Sequence, residues 1–238
     1  MTLNRTKIEW CDYTTNPATG CLHRKQGICK IPCYAEKIAM RFQGHFNPEF
    51  HIERLKDFES TFKPSSIFVC SMSDLFGNWV PYEWQQSVFD AAMGAPWHTY
   101  LFLTKNPEGM LNFQKKYYFF NLKEDDERDL FHAIMWWGTT VTGAEDIKRI
   151  DTLNELWTKN RFVSFEPLLS DPGDLDLSGI RQVIVGAQTN PTVMPDNFWI
   201  AKIQDAVERV GGRMFCKDSL QSIPDCLFTS DLCWPVRK

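Results

Sequence analysis

The chain has no run of 18 apolar residues that would cross a bilayer. Its opening octet, Met1-Thr-Leu-Asn-Arg-Thr-Lys-Ile, lacks the apolar centre of a secretory leader. A cytoplasmic protein with no membrane partner is expected, in a compartment where thiols stay reduced. There is no excess of positive charge either. Lys and Arg number 26 against 30 Asp and Glu, a net of −4, so nucleic acid would have to be held by a local basic groove. Linkers, low-complexity tracts and short repeats are missing. With 43% hydrophobic and 24% charged residues, the composition excludes a disordered or fibrous chain. No Gly-x-Gly-x-x-Gly follows the first strand candidate, which weighs against dinucleotide binding.

What is present is alternation. Strand candidates at Lys7–Asp12, Ser66–Ser71, His98–Thr104, Ala133–Val141, Arg161–Phe165, Gln182–Ala187 and Arg213–Lys217 are separated by helical patterns. Several are apolar without alternation, as strands buried on both faces are. Tyr34, Ile38 and Phe42 repeat every four residues before Gly44, and Pro81 and Pro107 sit where a helix tolerates proline. Ile147, Ile150, Leu153 and Trp157 form one stripe; Phe198, Ile203, Ala206 and Val210 form another. Lys123-Glu-Asp-Asp-Glu-Arg-Asp reads as a solvated loop or helix start. The pattern predicts an α/β fold, a single domain over 1–238 with 218–238 as a tail, built as a partial or complete (β/α) TIM-type barrel. In such a fold the chemistry lies at the carboxyl ends of the strands.

Eight cysteines in a reduced compartment point to metal rather than disulfides. Cys21, Cys29 and Cys33 fall within 13 residues, in a loop running into the first helix; the others are scattered. Three thiolates suit a four-iron cluster whose last iron stays open to another ligand. A zinc site completed by His23 is the alternative, and three unrelated thiols are the bland one.

The segment Lys7-Ile-Glu-Trp-Cys-Asp-Tyr-Thr-Thr-Asn-Pro-Ala-Thr-Gly-Cys, followed by Cys33-Tyr-Ala-Glu, resembles the opening of phage-associated three-cysteine proteins of the radical S-adenosylmethionine (SAM) superfamily. The likeness continues in Phe68-Val-Cys-Ser-Met-Ser-Asp-Leu-Phe, Leu103-Thr-Lys-Asn-Pro-Glu, Ser164-Phe-Glu-Pro-Leu-Leu and Asp176-Leu-Ser-Gly-Ile, and is distantly similar to spore photoproduct lyases. Cys11 and Cys70 depart from the family pattern, where Thr and Asn are expected, and Gly186-Ala-Gln-Thr-Asn-Pro replaces a Gly-Gly-Glu-Ser-Gly-Pro-like turn.

The resemblance implies a [4Fe–4S] cluster on Cys21, Cys29 and Cys33, with SAM chelating the open iron and yielding a 5′-deoxyadenosyl radical after one-electron reduction. It implies an isomerase or lyase acting on a nucleobase or modified thymidine in DNA, by rearrangement or carbon–carbon bond formation. The partners are a flavodoxin- or ferredoxin-like electron donor and a DNA or nucleotide substrate; a peptide or small metabolite is the alternative. A zinc-bearing, non-catalytic interaction module is the rival class.

Within that frame Ser71, Ser73 and Asp74 follow a buried strand and would hold the charged end of SAM, or merely cap a turn. Lys105 offers a cation to its carboxylate. Thr140 ends a strand and would hydrogen-bond ribose or substrate, or pack as a β-branched residue; Tyr34 follows the last cysteine and would flank the adenine or simply pack the first helix; Glu166 is the best carboxylate for ribose or substrate. Cys216, in the final strand, reads as an inert core cysteine or, if it faces the barrel interior, as a hydrogen-atom donor. Gln188 and Asn190 suit a base edge or a plain turn, and Cys226 and Cys233 would serve a second site.

Overall fold

The computed structural model describes residues 3–189, 191–221 and 232–235. In chain order its elements begin with β1 (Asn4–Arg5), β2 (Tyr13–Thr15), β3 (Ala18–Thr19), α1 (Tyr34–Phe42), β4 (Glu49–Phe50) and β5 (Ser66–Val69). The middle of the chain forms α2 (Tyr82–Gly94), β6 (Thr99–Thr104), α3 (Pro107–Asn121), α4 (Asp125–Ile134), β7 (Met135–Thr140) and α5 (Lys148–Asn154). There follow β8 (Arg161–Phe165), β9 (Gln182–Val185), β10 (Gln188–Thr189), β11 (Thr192–Val193), α6 (Asn197–Arg209) and β12 (Arg213–Cys216).

The main sheet runs β1-β2-β5-β6-β7-β8-β9-β12, with β1 antiparallel at one edge and the remaining seven strands parallel. They curl into half a barrel, so the expected barrel is the partial one. Every residue of β5, β7 and β9 is buried, which is why Ile67–Val69 and Val183–Val185 read as apolar without alternation.

Side chains alternate across the strands and build two cores. On the outer face the helices cover an aromatic-rich layer in which Phe89 lies 4.4 Å from Phe102 and 5.3 Å from Trp137, ring centre to ring centre. On the concave face Phe68, Leu101, Trp136, Phe162, Ile184 and Phe215 form a floor, plugged by Trp10 and Trp234. The Trp234 indole donates to the Trp10 carbonyl at 2.8 Å and tethers the C-terminal segment beneath the floor.

Several local expectations need correction. Lys7–Asp12 forms no strand; Trp10 turns into the concave floor, and Asp12 ties to Ser66 through reciprocal bonds at 2.8 and 3.0 Å. The first long-sheet parallel strand is instead β2. Ala133 and Ile134 end α4, whose start is the charged run, closed by a capping box between Glu124 and Glu127. In α1 the buried positions are Ala35 and Ala39, while Tyr34, Ile38 and Phe42 face solvent. Trp157, Phe198 and Val210 likewise lie on the surface, and Ile200 and Val207 take the core positions of α6.

Candidate functional site

The cysteine loop is fastened at both ends to the carboxyl ends of the strands. Gly20, with φ +80°, lies so close to Asn47 that a β-carbon would meet its carbonyl oxygen at 2.0 Å. Its N–H donates to the Met72 carbonyl at 3.0 Å, and Ser73 Oγ donates to the Gly20 carbonyl at 2.7 Å. Cys21 therefore leaves the end of the sheet beside the segment that follows β5. The loop then coils on itself, with Ile28 N bonded to the His23 carbonyl at 2.9 Å. Cys33 occupies the N-cap of α1 and makes no side-chain cap bond.

The three thiols act on one another electrostatically. Burial pushes Cys21 up to about 12, and the charges of Asp74, Cys29 and Cys33 add to it. Burial also raises Cys29; Lys105 opposes this, Cys33 and Asp74 reinforce it, and Arg149 opposes it. Thiolates gathered in one place are stabilised by a cation among them, and a bound metal deprotonates its thiol ligands outright. Their donor set is soft sulfur, as iron–sulfur clusters require. Among the described residues no three His, Cys, Asp or Glu side chains stand close enough to hold a single metal ion.

Asp74 is buried, and four chain groups meet its carboxylate. Thr104 Oγ1 and the Phe76 N–H donate to Oδ1 at 2.7 and 3.0 Å; the Lys105 N–H and the His23 ring meet Oδ2 at 2.8 and 2.6 Å. Burial pushes the carboxyl up, but His23, the Lys105 amide and the Thr104 hydroxyl outweigh it and hold the group below its ordinary value. Ser71 Oγ donates to Asn16 Oδ1 at 3.2 Å, and that same oxygen takes the Met72 N–H at 2.8 Å. Ser71, Ser73 and Asp74 thus brace the loop. Asn16, which the sequence did not single out, holds the brace from below. Tyr34 donates to the Ser71 carbonyl at 2.6 Å while over half of its side chain stays exposed.

Counting two and four residues up from the concave floor places Lys105, Thr140, Gly186, Glu166 and Lys217 at the open mouth. Glu166 accepts an ion-paired hydrogen bond from Lys217, and Glu9 lies 3.9 Å from the same ammonium. A β-carbon on Gly186 would stand 3.0 Å from Lys217 Cδ and 3.2 Å from Glu166 Cγ, so glycine there leaves room for the pair. The sequence reading singled out Glu166 but missed Lys217 as its partner; alternation along the last strand was the available signal.

Cys216 lies between the concave residues Phe215 and Lys217, so it faces the helix layer and is buried in the outer core, not the barrel interior. Gln188 donates its amide to the Pro191 carbonyl at 3.0 Å within the β10–β11 hairpin, which is the plain-turn outcome. Asn190 and Cys226 lie outside the described residues. Cys233 bonds the Arg181 carbonyl at the strands' amino ends, far from the mouth.

The model of the DUF5131 family, described as a protein of unknown function, matches residues 5–223, and the chain belongs to that family. No curated protein matches it. Among solved structures, a mutant spore photoproduct lyase with bound AdoMet and dinucleoside spore photoproduct is weakly similar, with 11% identity and a TM-score of 0.35. The match covers 68% of this chain and 58% of that one.

Proposed function

We propose that this member of the DUF5131 family is a radical SAM enzyme, with Cys21, Cys29 and Cys33 as cluster ligands and the strand-end mouth as the reaction chamber. The observation that carries the reading is that three half-buried cysteines, Cys21, Cys29 and Cys33, share one loop that Gly20 and Ser73 fasten to the carboxyl ends of parallel strands. Cys21, Cys29 and Cys33 would hold a [4Fe–4S] cluster, which once reduced would supply the electron for cleaving SAM and so the means of taking a hydrogen atom from the substrate.

The chain's own residues prepare that chamber. Lys105 offers its ammonium to the methionyl carboxylate, and Thr140 and Glu166 offer hydrogen bonds to ribose or substrate. Lys217 fixes the Glu166 carboxylate in place. Asp74, Ser71 and Ser73 hold the loop rather than the cofactor, because their polar atoms already engage the chain. Tyr34 ties the head of α1 to the segment after β5 through its hydroxyl. The aromatic floor closes the chamber below and keeps water from that side. The substrate class we assign is a nucleobase or modified thymidine of DNA, which would be turned out of the stack to enter the mouth.

The test is anaerobic purification followed by iron, sulfide and zinc analysis, with 5′-deoxyadenosine measured after reduction in the presence of SAM. Brown protein that releases 5′-deoxyadenosine, and a colourless Cys29→Ala variant that does not, are expected. A colourless wild type with one zinc per chain overturns the reading in favour of a zinc-bearing interaction module. Mass spectrometry of DNA nucleosides with and without an active copy tests the substrate: unchanged nucleosides would remove DNA and leave the radical chemistry standing.

A further inference from the structure

The helix that begins at the last cysteine turns its bulk outward. In α1, Tyr34, Ile38 and Phe42 follow one another at four-residue steps and are 57%, 44% and 77% exposed, with Lys37 and Arg41 set between them and Met40 also uncovered. The small Ala35 and Ala39 take the buried side. Aromatic residues, Met and Arg are the types enriched where proteins meet, and a helix face destined only for water does not need them. A nucleic-acid face would be richer in cations and poorer in aliphatic surface.

The charge of this face departs from that of the whole. Arg24 pairs with Glu36, and Lys30 with Glu145. Among the described residues, Lys25, Lys37 and Arg41 have no carboxylate within ion-pair distance, although the chain carries a net charge of −4. The guanidinium of Arg41 lies 5.5 Å from the Phe42 ring, a flat cationic–aromatic surface. A nine-residue helix is about 14 Å long, a footprint suited to the small, transient interfaces of electron-transfer partners.

Resting on the function proposed above, we infer that the outward face of α1, with Lys25 beside it, docks a small acidic one-electron carrier protein. Cys33 stands at the head of that helix, so a carrier seated there lies next to the sulfur site. One electron leaves the carrier and one is gained by the iron–sulfur group; no proton or other atom moves between the partners.

The experiment uses reconstituted holoprotein, the double variant Lys37→Glu/Arg41→Glu, and separately Phe42→Ser. Binding of oxidised flavodoxin is followed by calorimetry at low and high salt. Wild type is expected to bind in a salt-sensitive way, and both variants to bind about tenfold or more weakly. 5′-Deoxyadenosine formation should fall in parallel at sub-saturating reduced flavodoxin and remain at the wild-type rate with dithionite. Unchanged flavodoxin binding in both variants overturns the inference. So does a loss confined to single-stranded DNA binding, or light scattering that shows the face joining two copies of this chain. Wild type inert with dithionite would sink the enzymatic reading instead, and calorimetry would still decide the surface.

Discussion

His23 Nε2 lies 2.6 Å from Asp74 Oδ2, a buried contact that joins the cysteine loop to the segment after β5. The same carboxylate collects Thr104 and the Lys105 amide from the end of β6, so one acid fixes three pieces of chain around the sulfurs. A buried acceptor with this many donors is costly to remove, since each donor is left without water or partner.

Asp74→Asn is therefore expected to lower the unfolding free energy by about 3 kcal/mol, because an amide nitrogen cannot accept where the second carboxylate oxygen did. Urea denaturation of the metal-free chain measures this. The reconstituted Asp74→Asn variant should also retain less iron than wild type; equal stability and equal iron would show that the brace is idle.

Cys70 has φ +62° at the end of β5, a left-handed backbone in a buried residue that is not glycine. Cys70→Val puts a larger, β-branched side chain in that buried conformation, at a cost of about 1–3 kcal/mol. Cys70→Gly relieves the backbone while losing a buried thiol, and should stay within about 1 kcal/mol of wild type. Thermal melts of the two variants should therefore separate clearly; coincident melts would mean no strain resides there.

A β-carbon on Gly138 would come within 2.4 Å of the Phe162 ring, which is fully buried in the concave floor. Gly138→Ala is expected to destabilise the chain by about 1–3 kcal/mol through overpacking. Adding Phe162→Leu should recover part of that loss, and a double-mutant cycle checks it; additivity would indicate that the floor yields freely.

His98 is buried, with Nε2 at 3.1 Å from the Thr61 carbonyl, and burial pushes its pKa below 6.5, as it does for His51 and His132. The sign follows directly. Near and below 6.5 the unfolded chain takes up protons that the folded histidines refuse, so stability is full above that pH and falls as pH drops. Urea midpoints should decline between pH 7.5 and 5.5, by at most about 1.4 kcal/mol per pH unit for each histidine. His98→Gln, which keeps a donor toward Thr61, should flatten the slope; an unaltered slope would place the effect elsewhere.

Much of the fold was legible because buried parallel strands must be apolar on both sides, and β5, β6, β8 and β12 stand where such runs occur. The site was legible only in part. Glu166 and Lys105 stood out as charges at strand ends, yet the roles of Ser71, Ser73 and Asp74 depend on Gly20, Asn16 and His23, all more than 45 positions earlier.

Periodicity misled at α1. A four-residue repeat states that side chains share a helix face, but not whether a neighbour arrives to cover it. For Cys216, a single step along the strand decides between chamber and helix layer.

The sequence by itself determined the alternating α/β architecture, the helix start at Pro107, and the crowding of three cysteines into one loop, since these depend on local polarity, caps and spacing. Only the tertiary structure decided that the barrel is half a barrel, which residues look into it, and that Asp74 serves the loop. Those outcomes depend on contacts between distant segments, whose partners no local pattern names.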